Sequence, residues 1–187
     1  DIDELDAYRL VWHALLGQTR QATFFQSLEW LETYWRHYGD PMGPNRRLRV
    51  LIVHADGKPL GIVPLVVRLE DTRVGRVRVL TYPLENWGSF YGPIGPDATA
   101  TLWAAMRHLH ATPRDWDLLD LRWVDASGCD HGRTERAMAA AGFSPNSQAW
   151  DQTAVLEITG LWDDYWQSRP RKWRENLRRD ERYLNQL

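Results

Sequence analysis

Four cations stand close together near the C-terminus, in "SRPRKWRENLRRDERYLNQL": Arg171, Lys172, Arg174 and Arg178. Guanidinium forks bind carboxylate or phosphate through paired hydrogen bonds. On a helix, Arg171, Arg174, Arg178 and Arg182 follow i, i+3, i+7, i+11 and share one stripe. Trp173, Leu177, Leu184 and Leu187 form an apolar stripe beside it. Arg169 to Leu187 carries seven Lys/Arg against three Asp/Glu, a net of +4, while the other 168 residues net −6. Concentrated charge of this kind fits an anion-binding face. It fits equally a solvated helix pairing with its own acids, Glu175, Asp180 and Glu181.

A second group of residues suits ligand binding. The stretch "ENWGSFYGPIGPD", residues 85 to 97, is rich in Gly and Pro and offers Asn86, Trp87, Ser89 and Tyr91. Aromatic faces with a few polar groups suit a sugar or nucleotide acceptor. The alternative is that these aromatics plug the end of a sheet. Pro93 and Pro96 remove two backbone donors, and no Lys or Arg lies between Arg78 and Arg107. An anion cradle of backbone N–H groups is therefore not expected in this loop.

Other chemistries have little to build on. Cys129 is the single cysteine, so no internal disulfide exists. His131 lies two residues from it, but closeness in sequence is not hydrogen-bond geometry. The histidines show no metal-ligand spacing, and no metal is expected. Asp115, Asp117 and Asp120 bracket a strand, where an acid can serve as a general base, though solvation explains them as well. No catalytic residue is assigned. A net charge of −2 and a pI of about 6.3 argue against nucleic acid. No apolar run approaches the ~20 residues of a membrane span. The expected setting is cytoplasmic. The chain opens at Asp1 without Met and is read as trimmed.

The elements that must position these groups follow from periodicity. Residues 3–17 read as a helix with Leu5, Tyr8, Trp12, Leu15 and Leu16 on one face. Ser27 caps a second helix whose apolar face is Leu28, Leu31, Trp35 and Tyr38, ended by Gly39 and Pro41. "LRVLIVH" and "LGIVPLVVRLE" are strands joined at Asp56-Gly57, a hairpin signal because that turn needs positive φ. Pro64 marks an edge, a bulge or a splay. A third strand is "GRVRVLTY". A helix capped by Asp97 presents Leu102, Trp103, Met106 and Leu109. "WDLLDLRWVD" is a strand, "GRTERAMAAAGF" a helix stopped at Gly142, and "WDQTAVLEI" a further strand. "LWDDYWQS" and the basic segment are helices, the latter with Pro170 in its first turn.

This order resembles the GNAT fold of acyl-CoA N-acyltransferases. "VWHALL...ATFFQSLEWLETYW", "LRVLIVHADGKPLGIVPLVV" and "YWQSRPRKWRENLRR" sharpen the resemblance to the CelD/BcsL-type acetyltransferases and the related Fem-type aminoacyl transferases. The resemblance implies an α/β (α+β) chain: a mixed, mainly antiparallel GNAT-like sheet flanked by helices over residues 1–160, with 161–187 as junction helices. It implies the N-terminal, acceptor-side half of an enzyme that acylates an amine of a sugar or cell-envelope precursor, as in polysaccharide biosynthesis. A second GNAT-like domain in cis would bind acetyl-CoA or another acyl-CoA, so this half alone is expected to be inactive and not to bind the donor. Asn86, Trp87, Ser89 and Tyr91 would face the acceptor, and Arg171, Lys172, Arg174 and Arg178 would hold its anion. The competing reading is a non-catalytic module that binds an anionic ligand or a protein.

Overall fold

The computed structural model describes residues 2–39, 46–85, 90–152 and 159–186. The chain divides into two compact units, Asp1–Ser147 and Gln148–Leu187.

The first unit is α+β. A 3-10 turn at Asp3–Tyr8 leads into α1 (Arg9–Gly17), so the first helical pattern is broken at Tyr8. Trp12 and Leu15 of α1 and Leu5 of the turn are buried; Tyr8 is not. Thr23 and Gln26 form a capping box, each side chain serving the other's backbone, before α2 (Leu28–Tyr38). Ser27 caps α2 by accepting from Trp30 N at 3.1 Å. The buried face of α2 is Leu28, Trp30, Leu31 and Tyr34. Trp35 and Tyr38, expected inward, are half-buried and exposed, because Trp30 and Tyr34 fill the core in their place. Pro41 lies outside the described residues.

The sheet has the order β1-β2-β3-β4, with β1 (Arg46–Ala55), β2 (Lys58–Thr72), β3 (Gly75–Thr81) and β4 (Leu118–Leu119). The first three are antiparallel, and β4 joins β3 in parallel. Asp56 and Gly57 both have positive φ, 49° and 75°, as the tight hairpin requires. Every residue of β2 from Gly61 to Arg68 is buried, so both faces of the strand are covered; α1 and α3 pack on it.

Pro64 resolves as a splay. Ile62 exchanges both backbone hydrogen bonds with Ile94, at 2.8 Å each, on the side away from β1. Two residues on, Pro64 turns its missing N–H to that same side. It sits in the gap between that bridge and the first β2–β3 pair, Val66 with Thr81. The segment around Ile94, ahead of α3, therefore closes over an opening in the sheet.

Asp97 caps α3 (Ala98–Ala111), accepting from Ala100 N at 2.9 Å. Leu102, Met106 and Leu109 are buried as expected, with Thr101 and Ala105. Trp103, expected among them, is 41% exposed and lies under Arg107. The strand expected over 116–125 ends at Leu119. Arg122 is drawn aside to Asp120 and Glu70, and Trp123 turns the chain with φ 68°. α4 (Arg133–Ala140) follows and stops before Gly142, whose φ of 95° suits glycine.

The β3–β4 junction is clamped by charge. Asp117 accepts from Arg78 N at 2.9 Å, Nε at 3.0 Å and Nη2 at 2.7 Å. These bonds, the side-chain ones first, pull its carboxyl down to about 2 from 3.8. The folded value is the lower one. The clamp's contribution is therefore complete above the unfolded value and lost as pH falls through about 2. Carbon-13 NMR titration should place the Asp117 midpoint near 2 in the native chain. Arg78→Gln should return it toward the ordinary carboxyl value; an unmoved midpoint contradicts the clamp.

The second unit is a helical hairpin, α5 (Trp162–Ser168) and α6 (Arg171–Leu184). Trp166 and Trp173 meet at 5.7 Å between ring centroids, and Tyr165 and Trp173 at 6.4 Å. Pro170 is the N-cap of α6 rather than part of its first turn. Residues 150–152 form no strand, and the rest of the strand expected there lies outside the described residues. Among the described residues no helix is long and apolar enough to cross a membrane.

Candidate functional site

A cavity of about 150 Å³ opens in the first unit where three distant segments meet: 19–26, 90–98 and 124–133. The first segment is fixed from α1. Trp12 Nε1 donates to Gln26 O at 2.9 Å, and Gln26 is itself 5% exposed. Gln26 Nε2 then reaches the carbonyls of Gly92 and Pro93 at 3.2 and 3.3 Å. Thr23 Oγ1 donates to Phe90 O at 3.1 Å. The loop after β3 is thus tied down by side chains from before α2.

Three backbone donors of that loop are committed elsewhere. Tyr91 N bonds Trp123 O at 2.8 Å, Ile94 N bonds Ile62 O at 2.8 Å, and Gly95 N bonds Thr19 Oγ1 at 2.8 Å. Positions 93 and 96 are prolines. The start of α3 is closed by the Asp97 carboxylate, which repels a phosphate from the place where a helix dipole would favour one.

The third wall is built around Asp130. This carboxylate is 6% exposed and caps α4, accepting from Thr134 Oγ1 at 2.7 Å and Thr134 N at 3.1 Å. Asp125 likewise accepts from Gly128 N at 2.8 Å. Both oxygens of Asp130 and Oδ1 of Asp125 thus accept from backbone N–H groups. Arg133 stands 3.5 Å from Asp130, and its Nε has no hydrogen-bond partner among the described residues. Cys129 Sγ lies 2.6 Å from Gln21 Oε1. Burial first, and Asp125 next, push its thiol up, so it is no ready nucleophile.

The floor is aromatic. Tyr91 is 4% exposed and stacks on buried Tyr82 with centroids 4.8 Å apart. Neither phenol oxygen has a hydrogen-bond partner among the described residues. Burial pushes both phenols well up, so both stay protonated donors. Five described non-glycine residues have positive φ, and Gln21, Phe90 and His131 of these line this cavity. Such strain persists where surrounding structure enforces it and gathers at functional sites.

The residues singled out by sequence fall in three places. Asn86, Trp87 and Ser89 lie outside the described residues. Tyr91 lines the cavity from the core side. Arg171, Lys172, Arg174 and Arg178 belong to α6 in the second unit. There Arg171 pairs with Glu175 at 2.6 Å, Arg174 reaches Gln167 at 2.7 Å, and Arg178 lies over the Trp166 ring; Lys172 is exposed. Two of the four cations therefore turn toward α5. Asp115, Asp117 and Asp120 all pair with arginines, namely Arg47 and Arg49, Arg78, and Arg122. No group of three or more metal-ligating side chains occurs among the described residues.

Arg133, Asp130 and Gln26 were not singled out from sequence. A local signal for Arg133 exists: it is the first residue of α4, where a cation opposes the helix dipole. A residue that breaks a local rule marks a place where something other than local stability decides.

No family description and no curated protein matches the sequence. One solved structure, "Crystal structure of a probable acetyltransferase", is similar over 84% of this chain and 93% of its own, at 12% identity and a TM-score of 0.33. A likeness that loose assigns neither activity nor substrate.

Proposed function

We propose that this chain is the acceptor-side half of an acyl-CoA-dependent N-acyltransferase of the CelD/BcsL-type branch, acting on an amine of a sugar or cell-envelope precursor. The observation that carries it is the loop between β3 and α3. In the GNAT arrangement this loop holds the CoA pyrophosphate. Here its donors at Tyr91, Ile94 and Gly95 are consumed, two positions are prolines, and Asp97 closes the helix start. The element order supports the same reading: three antiparallel strands, a helix, then a strand parallel to the third. The acyl donor would be held by a second GNAT-like domain. Residues 86–91 and the cations Arg171, Lys172, Arg174 and Arg178 would meet the acceptor. Catalysis in such a pair is mostly positioning plus stabilisation of the oxyanion by an N–H from the donor half.

The test is calorimetric titration of this chain with acetyl-CoA at low and moderate salt. The expected result is no saturable heat, no thermal stabilisation and no turnover with amino-sugar acceptors. Saturable binding would mean that the loop holds the donor after all, and would overturn the division of labour.

A specific observation favours a second reading, a non-catalytic protein-binding module. The second unit leaves Trp162 57%, Leu177 39% and Leu184 66% exposed on its hairpin.

A further inference from the structure

We infer that the free edge of β1 is a strand-pairing surface, and that its partner is β1 of a second copy of this chain. Among the described residues the sheet has two edges. One is β4, only two residues long, and an edge that short gives another strand little to pair with. The other is β1, ten residues from Arg46 to Ala55.

The register decides which groups of β1 face outward. Ile62 spends its N–H and C=O on Ile94, away from β1. Its partner on β1 is Ile52. That pair therefore exchanges no hydrogen bonds, and Ile52 turns its own N–H and C=O to the free edge. Strand alternation gives Val50 and Leu48 the same orientation. None of these groups has a backbone partner among the described residues. The side chains agree: residues 48–53 are half-buried, whereas Gly61 to Arg68 of β2 beside them are buried.

Sheet edges are commonly guarded by charges, prolines or bulges. The guards on β1 are weak. Arg46 is held by Glu85, and Arg47 and Arg49 by Asp115. The bulge falls between Val53 and His54, past the apolar stretch, and β1 contains no proline.

The occupant follows from the strand's own sequence. The outward groups of Leu48, Val50 and Ile52 pair with themselves, antiparallel, about a two-fold axis at Val50. Leu48 then meets the partner's Ile52, and Val50 meets the partner's Val50, aliphatic against aliphatic. On the other face Arg49 meets the partner's Leu51, and Arg47 meets the partner's Val53. No cation stands opposite its own copy, whereas an axis at Arg49 would set like charges face to face. Closed two-fold pairing is also the commonest symmetry of soluble oligomers. The inference uses no residue of the cavity or of α6 and does not rest on the acyltransferase reading.

The test uses the whole chain. Sedimentation velocity should show a monomer–dimer equilibrium with a Kd of about 10–100 μM, as a small, transient interface allows. The amides of Leu48, Val50 and Ile52 should gain protection from hydrogen exchange as the dimer fills. In a Cys129→Ser background, Val50→Cys should form an intermolecular disulfide with oxidised glutathione, because hydrogen-bonded antiparallel partners stand about 5.5 Å apart at Cα, within disulfide reach. Leu48→Cys should not, since the two copies of that position lie about 14 Å apart along the strands. Val50→Pro removes the donor on the axis and should weaken the dimer at least about tenfold. The N–H it removes faces outward, so the β1–β2 ladder keeps its bonds. If Val50→Pro does not fold, the two cysteine variants still decide. A chain that stays monomeric to about 500 μM, well above that Kd, would overturn the inference. So would a dimer that Val50→Cys does not cross-link, or that Leu48→Cys cross-links as well. Protection of the three amides at every concentration would also overturn it, because the edge would then be covered within the chain. None of these outcomes bears on acetyl-CoA, so the titration with the acyl donor fails or succeeds separately.

Discussion

Trp12→Ala is expected to lower the unfolding free energy by about 3–5 kcal/mol, the range for emptying a buried indole site. Trp12 is 0% exposed and packs in the same core as Leu28, Leu31 and Ile62. Nothing near it can move far, because β2 is covered on both faces. The loss has two parts, and they can be separated. Trp12→Phe keeps most of the volume but removes the donor to Gln26 O, stranding a buried carbonyl. That variant should cost about 1–3 kcal/mol. Urea unfolding followed by circular dichroism reads both, and the slope should stay constant while the midpoint falls. A cost below about 1 kcal/mol for Trp12→Ala would mean the indole is not sealed in a core. The consequence reaches the cavity, because Gln26 carries the link on to Gly92 and Pro93. Even the milder variant should broaden the amide resonances of Tyr91, Gly92, Ile94 and Gly95.

That link also explains what was legible in the sequence. Devices that act over three or four residues are legible: Ser27 and Asp97 as caps, Asp56-Gly57 as the hairpin turn, Gly142 as a helix stop. Each works through its own backbone, so its signal is local. The buried face of α2 is not legible because the helix carries aromatics on several sides, and only packing in the core selects Trp30 and Tyr34 over Trp35 and Tyr38. The end of β4 is hidden for a related reason. Leu121 and Trp123 keep the alternating pattern, but Arg122 is held by Glu70, 52 positions earlier in the chain. Pro64 stands out in the sequence, but its role depends on Ile94, which lies 30 residues on and bridges Ile62. The cavity was not legible at all, since its walls come from segments some 70 and 30 residues apart.

Arg68→Leu should cost about 3–5 kcal/mol, for an electrostatic reason rather than a packing one. Arg68 lies on the central strand, and its side chain is 8% exposed. Its Nε binds Glu70 at 2.6 Å, while its Nη1 lies 3.3 Å from Glu85 and donates to Leu84 O at 3.1 Å. Arg46 joins Glu85 at 2.9 Å and the Tyr34 hydroxyl at 2.8 Å, and Arg122 joins Glu70 at 2.8 Å. Removing Arg68 takes one cation from between two half-buried acids, whose desolvation is then poorly repaid. The pH dependence identifies the cause. Partial burial raises the Glu70 carboxyl, but hydrogen bonds from Arg122 and Arg68 outweigh it and leave the net value below the usual one. In the native chain Glu70 therefore contributes stability above its unfolded value of 4.5, lost as pH falls through the lower folded value. Without Arg68 the folded value rises, so Glu70 takes up its proton at higher pH and the penalty is relieved there. The gap between Arg68→Leu and the native chain should thus be full at pH 7 and shrink below about pH 4. A gap of the same size at both pH values would assign the loss to packing. Replacing Arg68, Glu70 and Glu85 together by apolar residues removes charges and partners alike. That variant should recover much of the deficit while leaving Arg46 and Arg122 with fewer partners. Such a result would show that the network fixes where the chain enters the loop after Glu85 more than it adds to stability.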